Sequence, residues 1–194
     1  MAYTLYTVGY AAFSQSEFLK RLRDFSIGAV VDVRSEPTVS HFESYRFPAV
    51  KIFLNENGIY YLAFSRELGA RPADPALYSG GKADFAKIAA WEPYRVALGR
   101  IRDGLEKFPV CLMCAQKDPL NCHRSILLTR SFASLYPEIG IVHIISREKT
   151  ESEEKLRKRL LKSEGLDQLM LGKSQEETLA EAYSRREEEI AYRK

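Results

Sequence analysis

The chain has 194 residues, of which 45% are hydrophobic and 28% charged, with a net charge of +3. That length suits one domain with a real core and a modest extension, and the composition excludes a chain disordered throughout. So small a positive surplus does not indicate nucleic acid as a partner, and no apolar run approaches the roughly 20 residues of a membrane span. The start, Met1-Ala2-Tyr3-Thr4-Leu5, lacks the basic and long apolar segments of a signal peptide, so a cytoplasmic location without membrane contact is expected. The three cysteines, Cys111, Cys114 and Cys122, fall within 12 residues. An odd count in one segment is a poor disulfide framework and suits reduced thiols.

Residues 3–8 read as a strand ending at Gly9. Ser14 and Glu17 form a capping-box pattern, and Phe18, Leu19, Leu22 and Phe25 follow at helical spacing. Residues 29–33, Ala-Val-Val-Asp-Val, are apolar and β-branched, as in a strand buried on both faces. A helix over 47–55 and a strand over 59–64 come next. The stretch holding Gly69, Pro72, Pro75, Gly80 and Gly81 reads as a long irregular insertion, of the kind that forms lids and walls. Helices are expected over 84–90 and 93–107, a strand over 110–114, a helix over 124–135 and a last strand over 139–145. Strands alternating with helices imply a mostly parallel sheet flanked by helices, a Rossmann-like three-layer α/β fold. This domain spans residues 1–146.

Residues 147–194 carry twelve basic and twelve acidic side chains and read as a charged helical extension, with helices over 151–162 and 174–192. Its apolar stripe is narrow. Leu156, Leu160, Leu161, Leu166, Leu169, Met170 and Leu171 are expected to add little to the core and to pack on the domain edge or on another subunit. Homo-oligomerisation through these helices is therefore an open option.

In open α/β sheets ligands bind outside the carboxyl ends of the strands. Those ends carry Gly9-Tyr10, Asp32-Val33-Arg34-Ser35, Glu67-Leu68-Gly69-Ala70-Arg71, and Cys114 followed past a loop by Cys122-His123-Arg124-Ser125. Cys122 stands at a helix start, where free amides and the helix dipole lower a thiol's pKa and attract anions. The alternative is a small buried cysteine, with Arg124 pairing Asp118 or Asp32. Asp32 and Arg34 share a strand face and read either as a ligand clamp or as an internal ion pair. Tyr10, Tyr60, Tyr61 and Tyr78 offer a wall for a planar ligand or, for Tyr60 or Tyr61 in particular, ordinary packing, and His143, in an apolar strand, reads as a core histidine. Cys111, Cys114, Cys122 and His123 together could supply four soft ligands, but Cys111 lies inside a strand whose neighbouring side chains diverge, which argues against zinc. Gly80-Gly81-Lys82 lacks the glycine pattern of a P-loop. No metal and no cofactor is expected.

The motifs Thr7-Val8-Gly9-Tyr10, Val31-Asp32-Val33-Arg34-Ser35-Glu36-Pro37, Glu67-Leu68-Gly69-Ala70-Arg71, Cys114-Ala115-Gln116 with Asp118-Pro119, and Cys122-His123-Arg124 resemble, in order, those of the domain-of-unknown-function family numbered 488. The resemblance covers about residues 3–146. Gln116 stands where the family usually has an acidic residue, and Gly69-Ala70 where it usually has two glycines. The resemblance implies a fold and a site location but no reaction. A weaker likeness joins the chain to rhodanese and cysteine-phosphatase domains, although ten positions from Cys114 to Arg124 exceed the tight anion loop of those enzymes.

Besides a purely structural or partner-binding protein, with the C-terminal helices as docking surface and no concave pocket at the strand ends, two functions compete. One is a thiol-dependent enzyme for a small anionic or nucleotide-like substrate, with Cys122, Cys114, His123 and Asp32 as catalytic candidates and Gly9, Tyr10, Arg34, Ser35, Arg71 and Arg124 as ligand-binding ones. The other is a non-catalytic module binding a nucleotide or nucleic acid through the same arginines and tyrosines.

Overall fold

The computed structural model of the chain describes residues 3–167 and 173–194. Strand β1 (Thr4–Gly9) leads into α1 (Gln15–Asp24), whose Ser14–Glu17 capping box has both reciprocal bonds in place. Then follow β2 (Ala29–Asp32), α2 (Ala49–Glu56), β3 (Tyr60–Ala63) and the single turn α3 (Ser65–Leu68). A two-stranded hairpin, β4 (Tyr78–Ser79) and β5 (Lys82–Ala83), precedes α4 (Phe85–Ala90) and α5 (Glu92–Leu105). Strand β6 (Val110–Cys114) is followed by a π-helical segment, Arg124–Thr129, that runs into α6 (Arg130–Leu135). The chain closes with β7 (Gly140–Ile144), β8 (Thr150–Ser152), α7 (Glu153–Ser163) and α8 (Gln175–Ile190).

The main sheet has the order β3-β2-β6-β1-β7-β8. Every pairing is parallel except β7 with β8. The apolar runs of β2 and β6 are buried at every position, as strands covered on both faces must be. Alternation then divides the core. Val8, Val30, Met113 and Ile144 face Phe18 and Leu22 of α1 and Val50 and Leu54 of α2. Leu5, Val31, Leu112 and Ile141 face the opposite layer, which includes Leu98 and Ile101 of α5 and Phe132 of α6. Cys111 belongs to the first face and Cys114 to the second, so the two cannot serve one ligand set.

The expected last strand is not the last. Residues 150–152 form β8, which folds back on β7 through a turn closed by the Ile145 amide on the Lys149 carbonyl at 2.9 Å. Helix α7 consequently starts at Glu153, capped by the Ser152 hydroxyl. The charged extension also departs from its expected role. Leu156, Leu160, Leu166, Ala182, Tyr183 and Ala191 all join the core on the α5–α6 face. The physical reason is that a stripe as narrow as Leu156 and Leu160, one helical turn apart, still buries completely when the remaining charges lie on the opposite helix face and the one acid on its own face, Glu153, is hydrogen-bonded. Burial of each such leucine contributes about 1.5–3 kcal/mol. Leu169, Met170, Leu171 and Gly172 lie outside the described residues.

The extension is also tied to the sheet by polar bonds. The ring of His143, fully buried on β7, meets Thr7 Oγ1 at 2.8 Å and Glu153 Oε2 at 3.0 Å. Glu153 also accepts from Thr129 Oγ1 at 3.0 Å and from the Tyr183 hydroxyl at 3.2 Å. One carboxylate thus joins β7, the π-helical segment, α7 and α8. Burial works against its charge, but the His143 hydrogen bond and then the neighbouring cations hold its pKa below the ordinary 4.5. A carboxylate depressed in the folded state stabilises at neutral pH and loses that contribution as pH falls through its folded pKa. Glu153→Ala should cost about 3–5 kcal/mol in urea unfolding at pH 7, because it strands buried partners. Melting temperatures should fall as pH drops below about 4.5, and less steeply in the variant; parallel curves for the two proteins would assign the acid sensitivity elsewhere.

Candidate functional site

The register sets three strand ends side by side. Gly9 pairs with Cys114, and Asp32 pairs with Met113. Outside these ends lies a cleft of about 640 Å³, with Cys114, Cys122 and His123 in its lining. Cys114 closes β6, and Cys122 and His123 immediately precede the π-helical segment. The intervening loop is bent back by the guanidinium of Arg124, which donates to the carbonyls of Gln116 and, at 3.1 Å, Lys117. Gly9 backs this bend. A Cβ there would lie 1.8 Å from the Gln116 carbonyl oxygen, so only glycine permits the approach.

His123 Nδ1 lies 3.9 Å from the sulfur of Cys114 and 3.9 Å from that of Cys122, and the three potential ligand atoms are mutually within 4.8 Å. The other ring nitrogen, Nε2, is 3.0 Å from the Val33 carbonyl. A carbonyl can only accept, so Nε2 carries the proton and in the neutral ring Nδ1 presents its lone pair to the sulfurs. Burial opposes a charge on Cys122, but a hydrogen bond from Cys114, the charge of Arg124 and the contact with the His123 ring hold its thiol well below the ordinary range. The same bond, with burial, pushes Cys114 up. Burial alone raises Cys111, which lies on the other sheet face.

Beside the thiols is a second buried constellation. Arg34 Nε donates to both oxygens of Asp32, at 2.8 and 3.1 Å, and Arg34 Nη1 donates to the Tyr45 carbonyl at 2.7 Å. Asp32 also accepts from the Tyr61 hydroxyl at 2.7 Å and from the Arg34 amide at 3.1 Å. Burial disfavours the Arg34 charge, yet the Asp32 carboxylate raises its pKa above the ordinary value. Tyr10 stacks on Tyr45 with ring centroids 4.4 Å apart, lies 5.1 Å from the Arg34 guanidinium carbon and reaches the Ser40 hydroxyl at 3.0 Å.

The rim is more open. The Ser35 hydroxyl accepts from the Arg71 amide at 3.0 Å, and Arg71 pairs with Glu36 at 3.0 Å. Arg46 lies 3.5 Å from Glu43. Gly69 permits the close passage of residue 35, since a Cβ there would come within 2.9 Å of Ser35 Cα. One wall comes from the C-terminal extension, where Ile190 and Tyr192 line the cleft. The Arg71 guanidinium sits 4.6 Å from the centre of the Tyr192 ring. The Tyr192 carbonyl accepts from the Ala83 amide at 2.9 Å, which pins the terminus to the β4–β5 hairpin.

Of the residues singled out from sequence, Tyr10, Arg34, Ser35, Arg71, Cys114, Cys122 and His123 line the cleft. Asp32 and Arg124 are wholly buried behind it, and Gly9 is packed against the loop. Spacing did not single out Ser40, His41, Arg46, Ile190 or Tyr192 as lining residues. The first three sit in a polar loop with no periodic signal, and the last two lie more than 60 residues from any motif.

The sequence profile of the family described as Domain of unknown function DUF488 matches residues 14–130. No curated protein and no solved structure matches the chain.

Asp32 is the counter-charge on which this constellation depends. Asp32→Ala leaves the Arg34 guanidinium buried without an acid, and should cost about 3–5 kcal/mol of folding stability. Chemical denaturation of the purified variant measures the loss, and a change under 1 kcal/mol, the range typical of exposed pairs, would show the pair to be marginal.

Proposed function

The chain belongs to the DUF488 family, and because that description assigns no reaction, we propose from the site itself that the cleft is a thiol-dependent active centre for a small anionic or nucleotide-like substrate. The observation that carries this reading is the meeting of two thiols and one unprotonated imidazole nitrogen at the floor of a cleft rimmed by guanidinium groups. In this reading Cys122 is the nucleophile, and Cys114 is its hydrogen-bond partner. The Cys122 sulfur bonds to the electrophilic atom of the substrate, and the leaving group departs with its bonding pair. The thiol proton passes to Nδ1 of His123 and from there to the leaving group.

The buried Arg124 gives the thiols an electropositive backing, a setting that favours a thiolate. The substrate's negative group is taken by the rim rather than by the inner arginines. The carboxylates that Arg71 and Arg46 pair with are the exposed Glu36 and Glu43, and pairs of that kind are worth about 0.2–1 kcal/mol, so an incoming anion displaces them at little cost. Arg34 stays with Asp32, because separating a buried, multiply bonded pair costs several kcal/mol. Tyr10 and Tyr192 offer flat surfaces for a ring. Asp32 and Arg124 act in this scheme as positioning residues, since the oxygens of Asp32 and the terminal nitrogens of Arg124 are already engaged.

Alkylation of the native protein tests the proposal. In metal-free protein under a non-thiol reductant, iodoacetamide should modify Cys122 at pH 7 about tenfold or more faster than free cysteine, whose pKa is ≈8.5. Cys111 should stay inert. Phosphate-like anions should slow the reaction, and Arg71→Ala should weaken that protection several-fold, whereas Arg130→Ala, on α6, should leave it unchanged. A Cys122 no more reactive than Cys111 in folded protein would remove the enzymatic reading; nucleotide binding retained in that case would favour a non-catalytic module.

A further inference from the structure

Beyond its role as a thiol centre, we infer that Cys114, Cys122 and His123 form a three-ligand site for a soft divalent cation, best matched by Zn²⁺, with the fourth coordination position open to the cleft. The inference starts from the donor set. Two sulfurs and one imidazole nitrogen suit zinc, and Cys₂His with one free position is a known catalytic ligand set for it. Calcium and magnesium require oxygen ligands, and an iron–sulfur cluster generally needs four protein ligands where this site has three.

Geometry supports the set. With Zn–S near 2.3 Å and Zn–N near 2.0–2.1 Å, the sulfur–nitrogen edge of a tetrahedron is about 3.6 Å. Both observed sulfur–nitrogen edges are 3.9 Å, so these need to draw in by only a few tenths of an ångström, and the two sulfurs, within 4.8 Å of each other, must close to the edge of about 3.8 Å that two Zn–S bonds require. His123 is oriented as a metal-bound histidine would be. Its Nε2–H donates to the Val33 carbonyl at 3.0 Å, which fixes the tautomer and leaves Nδ1 as the ligand atom, the arrangement found around most protein-bound metals. Both cysteines and the histidine are buried yet line the cleft, so a substrate or water can reach a fourth position. Two thiolates balance the charge of a divalent ion, and the buried Arg124 nearby then favours an anionic fourth ligand.

The spacing of the cysteines along the chain concealed this set. Cys111 and Cys114 look like a pair in sequence, but Cys111 points to the other sheet face. The chelate is Cys114 with Cys122-His123, joined across the loop that Arg124 bends.

The test uses the full chain, stripped of metal and kept under a non-thiol reductant, with Co²⁺ as the spectroscopic probe. One equivalent should produce a sulfur-to-cobalt charge-transfer band with tetrahedral visible bands, and Zn²⁺ should displace it. Cys122→Ser and Cys114→Ser should each abolish or strongly weaken the charge-transfer band, and Cys111→Ser should keep it. X-ray absorption on the zinc-loaded parent guards against variants that fail to fold, and should find two sulfurs near 2.3 Å with nitrogen or oxygen near 2.0 Å. Absence of the band in folded parent protein, or no sulfur around the zinc, would overturn the site. The thiol reading is judged separately, by alkylation of the metal-free protein. Fast alkylation with no cobalt band leaves the nucleophile and removes the metal; a cobalt band with slow metal-free alkylation does the reverse.

Discussion

Arg124 carries its charge at a position with no solvent exposure, and its guanidinium donates to the carbonyls of Gln116 and Lys117. Among the described residues no carboxylate lies within ion-pairing distance of it. The two terminal nitrogens of the cation are therefore satisfied by backbone while its buried Nε has no partner, and the backbone they satisfy is the loop between the two cysteines. Hydrogen bonds from a charged donor contribute about 1.5–3 kcal/mol each, more than a neutral bond, so the loop is held in one bend. The bend is what returns the chain from the end of β6 to a point where Cys122 and His123 stand beside Cys114. Gly9 completes the constraint from β1, because any side chain there would occupy the space of the Gln116 carbonyl. The thiols, the imidazole and the cleft all follow from that loop.

The neighbouring Asp32–Arg34 pair has a different logic. It is buried, multiply bonded and extended by the hydroxyl of Tyr61 and the carbonyl of Tyr45. A pair of this kind contributes little net stability compared with apolar packing, but it is costly to break and accepts only one geometry. Here that geometry fixes the end of β2. Val33, between the two charges, offers its carbonyl to His123. The ion pair thus orients the imidazole indirectly, through the strand end that it locks.

The C-terminal extension joins the same design from the opposite side. Glu153 ties it to the sheet beneath, and the pairing of Tyr192 with the β4–β5 hairpin carries its last residues over the cleft. Helix α8 therefore places Ile190 and Tyr192 in the wall of a site whose floor comes from residues 114–123. The DUF488 match ends at residue 130, so this wall is built from sequence that the family profile does not describe.

Local sequence determined the elements with strong local causes. The capping box at Ser14, the β-branched run at residues 29–33 and the apolar run at 110–114 each dictate their structure through contacts a few residues away, and each formed as read. The parallel sheet followed from their alternation with helices, and with it the convergence of Asp32, Arg34, Cys114 and Cys122 at one end. What only the tertiary structure decided were the partners. Whether Arg124 meets a ligand, an acid or a carbonyl depends on how the seven-residue loop between Cys114 and Cys122 folds, and spacing does not encode that. Whether Cys111 or Cys122 joins Cys114 depends on side-chain alternation across the sheet as well as on that loop. The place of residues 147–194 depends on a hairpin, β7–β8, and on one buried carboxylate finding a histidine on a neighbouring strand. Charge composition registers the solvent-facing side of a helix, whereas its docking is set by the few apolar side chains on the other, and those act only when the surface they cover already exists.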